Sequence, residues 1–325
     1  MTTFLVGLVI ILVVIIVARI MRILELTEEL CPQDDAQEQQ KENNWNAKIL
    51  LAFLVLMFSY VAYESFNYIK FLLPVSASKE GVISDKMLWI NFGVIGIVFV
   101  FTQILLFWFG YSYVYKKGKK AFFFTHNNKL EFYWTLIPTI VLLGLIGYGL
   151  KVWNDIMLKP APDNAKVIEI YARQFDFTAR YAGNDNKLGY AYYKLIDGTN
   201  RLGVDATDVT SHDDILSTEL HLPVNQPILL KMRSQDVIHS AYLPEFRVQM
   251  NNVPGMTTQF CFTPTITTEE MQKITKNPKF EYIMICNKIC GAAHFTMKMH
   301  VVVETPEQYN EWLSKQQTFI ASMTK

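Results

Sequence analysis

The stretch Cys286-Asn287-Lys288-Ile289-Cys290-Gly291-Ala292-Ala293-His294-Phe295-Thr296-Met297 decides how the rest of the chain is read. Two thiols, an imidazole and a thioether fall within one short segment. Thiolate and thioether are soft donors that favour copper(I), and imidazole serves either copper oxidation state. A second imidazole lies upstream, in Asp236-Val237-Ile238-His239-Ser240. A single-copper electron-transfer site takes two His, one Cys and a weak axial Met. This set has one cysteine more. Two thiolates four residues apart on a loop can both bridge two metal ions. Each ion then takes one imidazole, from His239 or His294, and one weak donor, from Met297 or a backbone carbonyl between the cysteines. Bridged ions that share one electron spread the charge change over many atoms, so little has to move on electron transfer. Gly291 permits a tight loop around the metals. Two other readings use part of the set. A Cys286–Cys290 disulfide suits an oxidising compartment but leaves His239, His294 and Met297 unexplained. A Cys2His2 zinc site is chemically sound and has no use for Met297.

Outward from this loop, the sequence after Pro160 reads as strands. Val167–Tyr171 alternates, and Phe175, Phe177 and Tyr181 continue in similar style. Ile228–Met232, Thr257–Phe262, Phe280–Ile285 and Met299–Val303 are short apolar or alternating runs, with turn signals at Asn184–Asn186 and Asp197–Asn200. Short strands at this density predict an all-β sandwich or barrel. Thr267 with Glu270 makes a capping box and opens one helix. Thr305, with Pro306 at the first helical position and Gln308 in the box position, opens another that runs toward the C-terminus. Cys261 reads as a small core residue. His126, His212, His221 and His300 have no partner at ligand spacing and read as surface or core histidines. Tyr242 lies close to His239 in sequence, and nothing in the sequence fixes its role. Asp205, Asp208, Asp213 and Asp214 form an acidic, loop-like stretch. It reads either as a solvated loop or as a surface that steers a basic partner.

The first half of the chain is of another kind. Apolar runs cover about Phe4–Ile20, Ile49–Ile69, Leu88–Tyr111 and Tyr133–Val152. Each approaches or exceeds the roughly 20 residues that span a bilayer, where helices are the default because the backbone must satisfy itself. The first run reads as a membrane span or as a secretory signal; no Lys or Arg precedes its apolar residues and Arg19 and Arg22 follow them, which favours the span. Arg19, Arg22, Lys41 and Lys48 follow the first run, and Lys116, Lys117, Lys119 and Lys120 follow the third. Both loops are therefore expected to be cytoplasmic, with both termini and everything after Trp153 outside. The first loop also carries Cys31 and the polar run Asp34–Asn44, read as a solvated or disordered linker. The full chain of 325 residues balances 30 Lys+Arg against 30 Asp+Glu, so bulk charge offers no argument for nucleic acid. Its 4 cysteines are too few for a disulfide scaffold.

The segment from Cys286 to Met297 resembles the copper-binding loop of subunit II of cytochrome c oxidases, of the form C-x-E-x-C-G-x-x-H-x-x-M. Leu222-Pro223-Val224-Asn225-Gln226-Pro227 with Arg233–Ser240 looks like that family's first-ligand strand, and Val253-Pro254-Gly255-Met256 like its following turn. Leu130–Pro138 resembles the start of its second membrane helix. The likeness runs from about Met87 to Trp312, and the copper motif is its most specific part. The resemblance implies a cupredoxin-like β fold and a binuclear CuA centre, with Cys286 and Cys290 bridging, His239, His294 and Met297 terminal, and the Lys288 carbonyl as the last donor. It implies electrons arriving from a cytochrome c, or from a cytochrome c domain of a neighbouring complex. They would leave to haem in subunit I, where the haems and CuB reduce oxygen and protons are pumped. It implies contacts with subunit I and other oxidase subunits, in a bacterial inner membrane with the copper domain on the periplasmic side. Glu131 matches the family position at the mouth of a proton path, or is an interfacial carboxylate.

The fold expected is thus four transmembrane helices followed by an all-β cupredoxin-like domain with a C-terminal helix. Residues 1–70 are two extra spans with a cytoplasmic polar loop and 87–154 a helical hairpin. Residues 160–304 are the CuA domain and 305–325 the terminal helix. Three departures from the family stand out. Lys288 replaces the usual Glu, whose side chain helps hold an interface magnesium, so no magnesium is expected. Phe175 replaces the Trp that receives the electron. The first two spans lie outside the usual hairpin and are expected to pack against another complex. Three other functions compete: a copper-free quinol oxidase subunit, a CuA domain of another reductase, and a copper carrier. The first lacks the ligand set, the second needs a further catalytic domain, and the third needs exchangeable ligands.

Overall fold

The computed structural model describes residues 2–30, 36–116, 118–120, 122–123 and 125–323, with the side chains of 2–10, 28–30, 36–37 and 322–323 left aside. Cys31 and Asp34 lie outside the described residues. The chain divides into two compact units: Met1–Asn67 with Ile95–Asn128, and Tyr68–Val94 with Lys129–Lys325.

The first unit is helical. It contains α1 (Thr2–Leu30), nearly all of α2 (Ala36–Tyr68) and the later turns of α3 (Lys79–Ser112). α2 begins within the stretch read as a linker, so residues 36–44 are helix and not an irregular loop. Ala36-Gln37-Glu38-Gln39-Gln40-Lys41-Glu42 consists of good helix formers with no Gly or Pro, and the Gln40 amide donates to the Tyr115 carbonyl at 2.8 Å. Among the described residues three helical stretches are long and apolar enough to cross a membrane: Glu38–Phe71, Lys79–Ser112 and Asn128–Leu158. The remaining expected span, Phe4–Ile20, falls on α1 and lies partly outside the residues described with side chains.

The second unit begins with the first turns of α3, takes in α4 (Asn128–Trp153) from Lys129, and continues into a β sandwich. Its strands are β1 (Lys166–Arg173), β2 (Asp176–Tyr181), β3 (Ile215–Ser217), β4 (Leu220–Pro223), β5 (Ile228–Ser234), β6 (His239–Leu243), β7 (Val248–Asn252), β8 (Thr258–Phe262), β9 (Tyr282–Cys286) and β10 (Lys298–Glu304). One sheet runs β3-β2-β1-β5-β8 and the other β4-β10-β9-β6-β7. Each holds one parallel pair, β1 with β5 and β10 with β4, and is otherwise antiparallel. Ile168, Ile170, Leu230, Phe246, Phe262 and Tyr282 fill the space between the sheets. Each large apolar side chain buried there contributes about 1.5–3 kcal/mol.

α5 (Thr268–Thr275) and α6 (Pro306–Ser314) start at the two expected capping boxes, each with both reciprocal bonds present. The C-terminal segment is not one helix. α6 stops at Ser314 and α7 (Phe319–Met323) follows. Thr318 bridges to Ile215, the Phe319 N–H donates to the Asp214 carbonyl at 2.6 Å, and Phe319 buries itself beside Tyr171, Leu202 and Val204. Burying that ring outweighs continuing the helix. The stretch compared with a single first-ligand strand is likewise divided. β4 ends at Pro223, Asn225 turns at φ 60°, β5 ends at Ser234, and a second turn delivers His239 as the first residue of β6.

In the acidic stretch Asp214 stands apart from the other three carboxylates, which stay partly exposed. Asp214 is fully buried and paired with Arg180, which also bonds Glu169 and the Gly189 carbonyl. Asp208 accepts the Tyr190 N–H at 2.7 Å, Asp205 the Thr207 N–H at 2.9 Å, and Asp213 the Asn184 N–H at 2.6 Å. These carboxylates help organise the long connection between β2 and β3, alongside backbone bonds such as those from the Tyr192 N–H to the Gly203 carbonyl and from the Asp205 N–H to the Tyr190 carbonyl.

Candidate metal centre

The register of three strands brings the donors together. In the β6–β9 pairing Ala241 faces Cys286, and the Asn287 N–H extends it by donating to the Ser240 carbonyl at 3.3 Å. In the β9–β10 pairing Lys298 faces Ile285, and the Cys286 N–H donates to the Met297 carbonyl at 3.1 Å. Cys286 and Met297 therefore stand across from one another, and residues 287–296 are the loop of a hairpin. Alternation along β6 turns His239, Ala241 and Leu243 to the core, and Tyr242 to the outer face beside Ile285. Tyr242 thus points away from the centre.

Within the loop, Cys286 Sγ and Cys290 Sγ are 3.9 Å apart. His239 Nδ1 lies 3.9 Å from Cys286 Sγ, and the Lys288 carbonyl oxygen 3.2 Å from it. His294 Nδ1 lies 3.6 Å from Cys290 Sγ, and Met297 Sδ 3.9 Å from it. Each thiol thus has one imidazole nitrogen and one weak donor at hand. The donor atoms of His239, Cys286 and Cys290 all fall within 4.8 Å of one another. Both thiols are free, at nearly twice the ~2.04 Å of a disulfide bond. Both are buried, as are His239 and Met297, while His294 is half-buried. Burial pushes the Cys290 thiol up to about 11, and the neighbouring Cys286 adds to the rise. Two sulfurs this close resist carrying two negative charges unless cations lie between them. The donor set therefore fits two soft cations, and Met297 gives no purchase to zinc.

Two residues that sequence reasoning did not single out hold this arrangement. Asp236 Oδ1 lies 2.8 Å from His239 Nε2. The carboxylate accepts, so Nε2 carries the proton and Nδ1 offers its lone pair toward the thiols. Burial alone would raise the Asp236 pKa, but bonds from His239 and from the Gln174 and Val237 N–H groups outweigh it and hold the carboxyl below its usual range. An aspartate three residues before the histidine was the available signal. Gln174, whose side-chain amide donates to the Cys290 carbonyl, gave none.

The other expected site residues are placed as follows. Phe175 follows Gln174 in the β1–β2 turn, and its ring rests against Gly291. A Cβ at Gly291, where φ is 145°, would come within 2.9 Å of that ring, so only glycine lets the loop lie this close. Glu131 is in the first turn of α4 and is no part of this cluster. Cys261 is half-buried on β8 opposite Leu229. His212 bonds the Ala206 carbonyl, His221 stacks on Trp312, and His300 pairs with Glu281.

Residues 69–152 match the family described as cytochrome c oxidase subunit II, transmembrane domain, and residues 170–305 match its periplasmic domain. An alternative cytochrome c oxidase subunit 2 from Bradyrhizobium diazoefficiens is 33% identical over 247 residues, covering 75% of this chain and 83% of the relative. The chain belongs to the cytochrome c oxidase subunit II family. A cytochrome c oxidase subunit 2 from Cereibacter sphaeroides is 25% identical over 234 residues, 68% of this chain and 72% of that one. Among solved structures, the periplasmic domain of cytochrome oxidase subunit II from Bradyrhizobium japonicum matches at 21% identity and a TM-score of 0.33, over 48% of this chain and 95% of that one. Membership makes the chain a membrane protein with an outer-side β domain, part of an oxidoreductase complex with other oxidase subunits. It also implies a CuA centre, and the convergent sulfur and imidazole donors fit one.

Proposed function

We propose that this subunit takes electrons from a cytochrome c at a binuclear copper centre and delivers them to haem in subunit I, where oxygen is reduced to water and protons are pumped. Cys286 and Cys290 would bridge the metals, with His239, His294, Met297 and the Lys288 carbonyl completing the set. The observation that carries this reading is the convergence of both imidazoles, the thioether and one carbonyl on two buried thiols. When bound, the copper pair supplies a one-electron relay. The residues of the chain keep the donors from rearranging: Asp236 fixes the His239 ring, and the hairpin bond between Cys286 and Met297 closes the loop. Metal analysis and electron spin resonance of the purified subunit test the reading. Two coppers per chain with a mixed-valence signal are expected. Zinc, a single copper or a Cys286–Cys290 disulfide in the active protein overturns it.

Finer assignments belong to the same proposal. Phe175 is the point of electron arrival, supported by its contact with Gly291 beside Cys290. Glu131 is the mouth of a proton path, supported by its place at the start of α4 just after the lysine-rich loop. Haems and CuB reside in subunit I, and a lysine at 288 speaks against an interface magnesium. The membrane is a bacterial inner membrane, consistent with the sources of the relatives. α1 and α2 are two extra spans, residues 1–70, that pack against a neighbouring complex. Residues 87–154 form the membrane hairpin and 160–304 the copper domain. Deleting residues 1–70 should remove a subunit contact from the purified complex, and a complex left intact ends that assignment.

A further inference from the structure

Gln174 lies far in sequence from every metal donor, yet it bonds to both segments that carry them. Its backbone N–H donates to Asp236 Oδ2 at 2.7 Å, and the other oxygen of that carboxylate holds His239 Nε2 at 2.8 Å. Its side-chain amide donates to the Cys290 carbonyl. The adjacent Phe175 ring and the Gln174 amide nitrogen both stand where a Cβ on residue 291 would be, at 2.9 and 2.7 Å.

The loop needs such an outside tie. Its second half is held by its own backbone, with His294, Thr296 and Met297 donating to Gly291, Ala293 and His294 at 3.0–3.2 Å. Its first half is not. Among the described residues no backbone–backbone hydrogen bond involves Lys288, Ile289 or Cys290. Among the described residues the Cys290 carbonyl gets its partner from the Gln174 side chain alone, across a separation of 116 residues. Only a hydrogen-bond donor can serve there, since an ionised carboxylate in that place offers lone pairs to lone pairs.

We propose that Gln174 is a positioning residue of the metal centre, whose side-chain amide straps the Cys290 peptide to the turn that also anchors His239. The strap fixes the Cys290 sulfur and the Phe175 ring against a common support. Its bearing on electron transfer rests on the copper reading of the site, whereas the strap itself does not.

Gln174→Ala and Gln174→Glu test it in the full chain purified in detergent. Both leave the backbone bond to Asp236 in place. In the reduced, copper-free protein, amide hydrogen exchange at residues 287–297 should quicken about three- to tenfold in both variants, the loss expected of one hydrogen bond. The rest of the β sandwich should exchange at wild-type rates. In the copper-loaded protein the copper count should stay and the hyperfine pattern of the spin signal should shift. Unchanged exchange in the loop, or a Glu variant that behaves like wild type, overturns the strap. The copper count of the wild-type chain judges the copper reading separately.

Discussion

Arg247 holds Asp85 through two hydrogen bonds of 2.8 Å, joining the turn after β6 to the second turn of α3. The same guanidinium donates to the Pro74 and Pro244 carbonyls, each at 2.6 Å. Around it the segment before α3 and the first turn of that helix are laced to the sandwich. The Ala77 N–H donates to the Glu245 carbonyl, the Ser78 hydroxyl to the Phe246 carbonyl, and the Thr263 N–H to Glu80. β6 begins at His239 and ends one residue before Pro244, so this clamp grips the strand that carries the first imidazole.

Replacing Arg247 by Ala should therefore loosen the mount without touching the donors. One charged, four-bonded side chain that is mostly buried is worth about 1–3 kcal/mol. The thermal unfolding midpoint should fall, and the copper spectrum should not change. Arg247→Lys should recover little, because a single ammonium cannot reach Asp85 and both carbonyls together. A lysine variant as stable as wild type would show that charge alone carries the clamp.

Asp236 governs the tautomer of His239. Asp236→Ala leaves a buried imidazole N–H without its partner and frees the ring to offer the wrong nitrogen. Copper affinity should drop about 10–100-fold in competition titrations against a chelator. Asp236→Asn should lose less, since its amide oxygen still accepts. Equal affinity in all three proteins would remove the carboxylate from the account.

At Gly291 a methyl group meets both the Phe175 ring and the Gln174 amide at a φ that L residues avoid. Gly291→Ala should cost about 1–3 kcal/mol and lower copper loading at limiting copper. If its stability and its loading both match wild type, the turn yields more readily than its contacts indicate.

Acid should weaken the long β2–β3 connection. The Tyr190 and Thr210 bonds hold the Asp208 carboxyl below its ordinary range, and the Asn200 and Thr199 bonds do the same for Asp197. A depressed folded pKa means the folded state favours the ionised form. Its contribution is whole above about pH 4, the unfolded value, and is lost as pH falls below it. The thermal midpoint should decline below about pH 4, and Asp208→Asn should flatten that decline. An Asn variant with the wild-type slope would assign the acid limb to other carboxylates.

Much of this was legible because it is local. The capping boxes at Thr267 and Thr305 need only residues three apart, and both formed. Four donor side chains, Cys286, Cys290, His294 and Met297, fall within one hairpin, so their residue types and spacing betray the chemistry before any strand is paired. β3, β4 and β7 were less visible, being short strands whose partners lie elsewhere in the chain. Asp214 was misplaced with its acidic neighbours because charge alone says nothing of which carboxylate a distant arginine will bury.

By itself the sequence determined the order of apolar helices and β domain, the soft donor set and the kinship. Each depends on composition, period or spacing within a short window. Only the tertiary structure decided that Asp236 turns the His239 ring, that Gln174 straps Cys290, that Arg247 mounts β6 on α3, and that the terminal helix breaks so Phe319 can be buried. Those contacts join residues brought near by strand register and packing, and no local preference of either partner encodes the other.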